Sequence, residues 1–253
     1  MLKYWDLVKH LTMREIKARY KQSFLGLFWV VLNPFFQMLI LSFVFSNIMR
    51  FSNLGVPYPV FLYAGLLSWV YFNTALSSSA DVLVASAPLI KKIYFPREIL
   101  VFSSLLAKTF DFFLSSILFI AMLLFFKITF TWYMLMFIPI FIIQFVFMYA
   151  LGLLLASLNL FYRDVKFLFN LILTLWFYLT PVIYATEFFP EQYRWIFKIN
   201  PMSVFINAYR QVLLTGSMPN WASLSIGVGI SVILFILSYV LFKKLEGSFA
   251  DVA

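Results

Sequence analysis

Six apolar stretches, each about as long as a bilayer is thick, dominate the sequence: residues 27–49, 59–83, 101–126, 134–161, 167–185 and 221–242. A helix needs about 20 apolar residues to cross the hydrocarbon core. Hydrophobic residues make up 64% of the chain and charged residues 11%, whereas soluble domains have about 45–50% and about 25%. A soluble core of this size could not bury so many apolar side chains. The sequence therefore predicts an all-α membrane protein with six transmembrane helices in a single domain, residues 1–253.

The lysine and arginine residues between the spans predict the orientation of the chain, because cytoplasmic flanks retain positive charge. With the N-terminus inside, thirteen of them face the cytoplasm, five face outwards, and Lys108 lies within the third span. Both termini, including the tail 243–253, are then cytoplasmic. Basic flanks beside anionic lipid account for most of the net charge of +9 without any nucleic-acid partner. The inner set is Lys3, Lys9, Arg14, Lys17, Arg19, Lys21, Lys91, Lys92, Arg97, Arg163, Lys166, Lys243 and Lys244, and the outer set is Arg50, Lys127, Arg194, Lys198 and Arg210.

The N-terminal segment, residues 1–24, is predicted to form an amphipathic helix that lies in the membrane interface. We expect its apolar stripe to enter the acyl boundary and its basic stripe to face the headgroups. Such a helix either anchors and orients the chain or receives a substrate or partner, and the sequence leaves both open. The apolar stripe is Tyr4, Leu7, Val8, Leu11 and Ala18, and the basic one is His10, Arg14, Lys17 and Lys21.

The inner loop SAPLIKKIYFPREIL, residues 86–100, carries more apolar side chains than a connector needs. Pro88 suits a helix start, and Pro96 ends the helix before the next span. A short helix exposing Leu89, Ile90, Ile93 and Tyr94 beside Lys91 and Lys92 favours docking into a groove of a partner. The alternative is that these residues dip into the membrane interface.

The outer segment, residues 186–220, holds two apolar runs, 190–198 and 201–214, with the pair Asn200-Pro201 between them. Each run is too short to span a membrane, and runs of about 10–14 residues are typical of re-entrant or interfacial helices. Asn200 and Pro201 favour a helix start. We expect an apolar face with Phe205 and Tyr209, a polar face with Ser203, Asn207 and Arg210, and a lid over the outer mouth.

Charges and small residues within the spans are few. Lys108 and Asp111 can pair along one turn of the third span, while Asp81 lies near the inner end of the second. Structural pairing and an ion path are both compatible with these positions. Ser223, Gly227 and Ser231 form a small-residue stripe suited to close helix packing, within the chain or between copies.

Catalytic and metal-binding constellations are missing from the sequence. The chain has no cysteine, one histidine, and no Gly-rich phosphate-binding loop followed by lysine. We therefore expect no catalytic residue, no metal and no cofactor in this chain. If it drives transport, a partner supplies the energy.

Five motifs resemble the membrane subunits of ABC-type polysaccharide exporters, which serve O-antigen, capsule and teichoic acid. The resemblance covers essentially the whole chain, in the right order. It implies a homodimer in the bacterial cytoplasmic membrane, two ATP-binding subunits that hold ATP and Mg²⁺, and a lipid-linked polysaccharide as substrate. The motifs are RYKQSFLGLFWVVLNP (19–34), YFPREIL (94–100), YRDVK (162–166), LTPVIY (179–184) and NPMSVFINAYRQVL (200–213).

The resemblance also implies residue roles. Residues 88–95 would form the coupling helix against the ATPase, and 186–214 the outer gate. The coupling residues are then Pro88, Leu89, Ile90, Lys91, Lys92, Ile93 and Tyr94, with Arg163 and Asp164 on the second inner loop. The gate residues are Asn200, Pro201, Phe205, Tyr209 and Arg210.

Aromatic residues make up 21% of the chain and suit a path for an uncharged polymer, since flat rings hold sugars weakly at many places. Rings that face lipid or form interface belts are the alternative. The candidates for the path are Trp29, Phe35, Phe36, Trp69, Tyr71, Phe72, Trp176 and Tyr178.

Two hypotheses follow. The first is the channel-forming subunit of an ATP-driven exporter of lipid-linked polysaccharide, with an exporter of a smaller lipid or drug as its variant. The second is a stand-alone channel or ion-coupled carrier that uses Lys108, Asp111 and Asp81.

Overall fold

The computed structural model describes residues 4–20, 26–48 and 55–252. Lys3, Lys21 and Arg50, which enter the predicted orientation, lie outside these ranges. All regular secondary structure within them is helical. The helices are α1 (Trp5–Tyr20), α2 (Phe28–Ser42), α3 (Tyr58–Ala85), α4 (Ala87–Lys92), α5 (Glu98–Phe125), α6 (Phe137–Phe161), α7 (Val165–Leu179), α8 (Trp195–Ile199), α9 (Pro201–Leu213), α10 (Trp221–Glu246) and α11 (Phe249–Val252).

Five helical stretches in the described ranges are long and apolar enough to cross a membrane, and they match five of the predicted spans. A π-helical turn, Phe43–Ile48, extends α2, and a 3-10 turn, Trp132–Met136, precedes α6. The prediction of an all-α, multi-pass membrane protein is confirmed.

The fifth predicted span, 167–185, is shorter in the structure. Helix α7 has 15 residues, which is about 22 Å at 1.5 Å per residue, and residues 180–185 leave the helix. The physical reason is Pro181, which disfavours helical backbone at the residue before it. Thr180 accordingly adopts extended angles, φ −107° and ψ 135°.

Helix α3 lies at the centre of the subunit and contacts α2, α5, α6, α7 and α9. Helix α10 packs against α6 and α9. The small-residue stripe on α10 serves a contact within the chain, because a Cβ at Gly227 would lie 3.3 Å from Val204 and 3.4 Å from the Phe205 ring. Ser231, one turn further along, is buried.

Helix α1 runs alongside α5, so part of its apolar stripe contacts protein instead of acyl chains. Val8 and Leu11 are buried, and three polar contacts follow the two helices in register. This corrects the expectation that the whole stripe enters the lipid; the helix itself is confirmed. The contacts are Thr12 to the Ser103 carbonyl (3.3 Å), Glu15 to the Ser104 hydroxyl (3.2 Å) and Arg19 to Asp111.

The C-terminal tail is also folded onto the subunit. Helix α10 continues to Glu246, and α11 buries Phe249 completely against Phe161 and Phe242. Lys243 pairs with Glu98 at 2.8 Å and with Glu246 at 2.9 Å. The tail therefore holds the start of α5.

Candidate functional site at the outer re-entrant segment

Arg210 anchors the outer segment from within α9. Its guanidinium lies 3.5 Å from the centre of the Phe61 ring and donates to the carbonyls of Pro181 and Val182, both at 2.6 Å, and of Phe61 at 3.3 Å. The two carbonyls at 181 and 182 lie beyond the end of α7. A charge at this depth is tolerated where carbonyl groups and an aromatic face surround it.

Gly65 makes room for this anchor, and sequence reasoning missed it. A Cβ at Gly65 would lie 2.6 Å from Nη2 of Arg210 and 2.9 Å from the Val182 carbonyl oxygen. Any larger residue would therefore displace the guanidinium or the chain after α7. The sequence offered no signal beyond a glycine in a long helix.

Asn200 ties the start of α9 to the end of α7. Its Oδ1 accepts from the Met202 N–H at 3.1 Å and from the Trp176 indole N–H at 2.9 Å. Its Nδ2 donates to the Thr180 hydroxyl at 3.0 Å. The cap predicted from the Asn200-Pro201 pair is confirmed, and it joins Trp176, a path candidate, to a gate candidate.

Tyr209 belongs to a buried polar cluster that the sequence did not reveal. Its hydroxyl donates to Oε1 of Gln144 at 2.8 Å, and Nε2 of Gln144 donates to the Ser68 hydroxyl at 3.1 Å. All three residues are buried, so α9, α6 and α3 are joined where water is excluded. A lone glutamine in an apolar span was the available signal.

The two predicted runs of the outer segment differ in outcome. The second run, 201–214, matches α9. The first, 190–198, forms only a 3-10 turn, Glu191–Tyr193, and the five-residue α8, because Pro190 and Pro201 confine it.

The predicted polar face of α9 is wrong for two of its three residues. Ser203 is fully buried and Arg210 is 5% exposed, since α3, α6 and α10 surround the helix. Phe205, on the apolar face, is fully buried and packs against Phe147 with the two rings tilted and their centres 5.9 Å apart.

A cavity of about 460 Å³ lies between α9, the segment before α8 and the start of α10. Phe61, Phe188 and Phe197 form apolar walls, while charged and amide groups complete the lining. The anchor Arg210 forms part of its wall. The outer segment thus forms a recess of mixed apolar and polar lining, backed by a packed helix. Its charged and amide residues are Glu187, Arg194, Lys198, Asn207, Arg210, Gln211 and Asn220.

The inner loop forms a helix, α4, as predicted, with Ser86 at its N-terminal boundary and Pro88 in its first turn. The helix is shorter than the expected 88–95, because it ends at Lys92 and Ile93 is already extended, with φ −135° and ψ 134°. Ile93 is 59% exposed and Tyr94 91% exposed, and Lys91 and Lys92 are exposed as well. Ile90 is buried and Leu89 half-buried, so the expectation that both are displayed is wrong. They pack α4 onto the subunit, where it contacts α3 and α11.

The second inner loop is a tight turn between α6 and α7. Arg163 and Asp164 are both exposed there. The Asp164 carbonyl accepts from the N–H groups of Phe167 and Leu168, which starts α7. These two side chains are free to meet a partner.

Comparison with known proteins identifies the family. The model of the ABC-2 type transporter family matches residues 6–214. The chain belongs to the ABC-2 type transporter family. It is 32% identical over 250 residues to an O-antigen export system permease protein RfbA of Klebsiella pneumoniae, covering 98% of this chain and 95% of that protein. It is 30% identical over 254 residues to RfbA of Myxococcus xanthus, covering 99% and 96%. The polysialic acid transport protein KpsM of Escherichia coli is 33% identical over 79 residues, 31% of each chain.

In this ABC-2 subunit the aromatic path candidates separate into two groups. Trp69, Tyr71 and Phe72 are 4%, 3% and 0% exposed, because α3 is central, and we assign them to the core instead of a path. Trp29, Phe36 and Tyr178 are 54%, 52% and 66% exposed. Phe35 and Trp176 are half-buried.

The charged residues of the ABC-2 subunit mostly pair across helices. Asp81 pairs with Lys166 at 3.3 Å, and Asp111 pairs with Arg19 of α1. The expected pairing of Asp111 with Lys108 is not the one that forms. Arg19 reaches Asp111 because α1 lies along α5, which the sequence did not predict.

Proposed function

We propose that this chain is the channel-forming, membrane-spanning subunit of an ATP-driven exporter that moves lipid-linked polysaccharide, of O-antigen, capsule or teichoic acid type, across the bacterial cytoplasmic membrane. The observation that carries the proposal is the likeness over 98% of the chain to a protein named as an O-antigen export permease. The membership of the ABC-2 family and the outer re-entrant helix support it.

The energy for export comes from a separate ATP-binding subunit, which holds ATP and Mg²⁺. The inner loop supports this assignment, since Ile90 packs α4 onto the fold while Ile93 and Tyr94, just beyond the end of α4, are exposed beside Lys91 and Lys92. An aromatic and an aliphatic side chain exposed together next to a short helix suit a groove in a partner. Arg163 and Asp164 extend the same contact.

Two copies of the chain would enclose the path, with two copies of the ATPase. Apolar side chains that are exposed on α2 and α7 supply a surface for the second copy, and they include three of the path candidates. These side chains include Phe28, Trp29, Phe36, Leu39 and Ile40 on α2, and Phe167, Leu168, Leu171, Leu175, Tyr178 and Leu179 on α7.

The test is reconstitution of the chain in vesicles with an ABC ATPase, which the proposal expects to be encoded beside its gene. We expect the two to copurify and to move lipid-linked polysaccharide only when ATP is hydrolysed. In a strain that lacks its own O-antigen permease, the pair should restore polysaccharide at the cell surface.

Three results would contradict the proposal. Transport of short lipids or drugs with no movement of polysaccharide would favour the smaller cargo. Transport by the chain alone under an ion gradient would favour the carrier, although Asp81 and Asp111 are already paired in the structure. Failure to bind the ATPase would remove the coupling assignment.

A further inference from the structure

Lys108 carries its charge in a place where charge is costly, beside Arg19, Asp111 and Glu15. It lies in the third span, 10 residues from the start of α5 at Glu98, or about 15 Å along the helix. Its ammonium makes no hydrogen bond or ion pair with the residues that the structure describes. Charges inside membrane segments usually pair with one another or with carbonyl groups.

The acidic neighbours of Lys108 are already engaged. Asp111 accepts from Arg19, and Oε1 of Glu15 accepts from the hydroxyls of Ser78 at 2.9 Å and Ser104 at 3.2 Å. These bonds join α1 to α3 and α5. Within the described ranges, no side chain or carbonyl accepts from the three N–H donors of the Lys108 ammonium.

A cavity of about 240 Å³ lies beside Lys108, bounded by α1, α2, α3 and α5. It opens along α2, where Trp29 is 54% exposed and Asn33 is also exposed. Its polar lining includes Arg19, Asp111, Thr74 and Ser115 beside Lys108. Its apolar lining includes Trp29, Pro34 and Leu67.

We propose that this cavity binds the phosphate group of an anionic membrane lipid, with Lys108 as the counter-ion. The unfilled ammonium donors select an anion with several acceptor oxygens. The apolar entrance on the exposed side of α2 selects an amphiphile, whose tails would lie along that helix in the membrane. The site does not depend on which cargo the subunit moves.

The test measures the thermal unfolding midpoint of the purified, delipidated subunit in neutral detergent as phosphatidylglycerol is added. A ligand that binds only the folded state raises the midpoint with concentration. We expect a rise of several degrees for the native chain and for Lys108→Arg, and none for Lys108→Met. Since Lys108→Met removes an unpaired charge from an apolar region, its midpoint without lipid should equal or exceed that of the native chain. Native mass spectrometry should show retained phosphatidylglycerol for the first two proteins and loss for the third.

Two further variants complete the design. Lys244→Met removes the same charge from an exposed position on α10 and should keep the full response. Asn33→Trp narrows the opening at an exposed residue, leaves Lys108 in place, and should weaken the response.

Several outcomes would overturn the proposal. If inorganic phosphate or glycerol 3-phosphate gives the full shift, the ligand is a soluble phosphate. If an uncharged galactolipid equals phosphatidylglycerol, the groove binds acyl chains alone. If Lys108→Met lowers the midpoint without lipid and keeps the response, Lys108 only balances its acidic neighbours. Should Lys108→Met fail to fold, an undiminished response in Asn33→Trp would count against the cavity.

Discussion

Arg210 is a single side chain that bonds the outer segment to α3 and to the residues after α7. It sits on α9, yet its strongest hydrogen bonds, at 2.6 Å, go to carbonyls just beyond α7. Those carbonyls are available because the chain leaves the helix before Pro181. The same proline that shortens the fifth span therefore creates the acceptors that hold α9.

Removing this guanidinium, or crowding it, should destabilise the subunit. Arg210→Met leaves three carbonyls without their donor and should cost about 3 kcal/mol of unfolding free energy. Gly65→Ala should cost a similar amount, since its Cβ would lie 2.6 Å from Nη2. We expect the double variant to be clearly less destabilised than the sum of the singles, because both act on one contact.

Unfolding in detergent, followed by circular dichroism, measures the three variants. Lys198→Met, at an exposed site on α8, is the matched control and should change little. Additive costs for Gly65→Ala and Arg210→Met would mean that the glycine and the arginine act independently.

Helix α9 is held by α3, α6 and α10, so we expect it to act as a seal and not as a flexible flap. Phe205 packs beside Gly227 of α10, and Tyr209 reaches Gln144 of α6. Asn200 fixes its start against α7. Opening the outer side therefore requires several packed contacts to change together.

Truncating the two aromatic contacts should make vesicles leak. Each buried aromatic contributes about 2–3 kcal/mol by area, so Phe205→Ala/Tyr209→Ala should shift a gate with a gap of a few kcal/mol towards the open state. We expect release of a small entrapped dye without ATP. Ser203→Ala is the control: its buried hydroxyl has no hydrogen-bond partner in the described structure, so its loss should be neutral. Tight vesicles with a correctly inserted double variant would show that α9 is not the seal.

The inner loop has buried and exposed apolar side chains: Ile90 packs α4 onto the fold, while Ile93 and Tyr94, just beyond α4, are exposed. Ile93→Ser/Tyr94→Ser alters only exposed positions and should leave insertion and thermal stability unchanged while uncoupling ATP hydrolysis from export. Ile90→Ser alters a buried residue and should lower the unfolding midpoint. ATPase rate and transport measured in the same vesicles provide the comparison, with Tyr193→Ser as an exposed control on the outer segment. Normal coupling in the first variant would make the loop a plain connector.

At the scale of the whole molecule, the sequence predicted the positions of the helices better than which helices pack against one another. Span length and Asn200-Pro201 are local signals, and the structure contains five of the six predicted spans and α9. Ile90 and Arg210 were misplaced, because burial depends on which helix lies opposite. Trp69, Tyr71 and Phe72 could not be separated from the exposed rings for the same reason: nothing local reveals that α3 is central. The Tyr209–Gln144–Ser68 cluster joins three helices far apart in the chain.

The predicted orientation is testable because the chain has no cysteine. Single cysteines at exposed positions can be introduced one at a time and treated with a membrane-impermeant maleimide. We expect Gln192→Cys and Met218→Cys to react in intact cells, and Tyr94→Cys and Ser248→Cys only after permeabilisation. Phe205 is unsuitable as a reporter because it is fully buried. Reaction of Tyr94→Cys in intact cells would reverse the assigned topology.

Helix α10 runs without a break from the outer segment to the inner loop. Its 26 residues extend about 39 Å. Near one end, Lys243 donates to Glu98 and Glu246 accepts from the Arg97 N–H at the start of α5. Near the other end, Gly227 lies against the Phe205 ring. One continuous helix therefore contacts both the start of α5 and the outer helix α9. If the proposed ATPase displaces the end of α10 at Glu246, we expect an unbroken helix to carry that displacement to Phe205, so that movements of the inner loop and of α9 would be linked without any contact with the cargo.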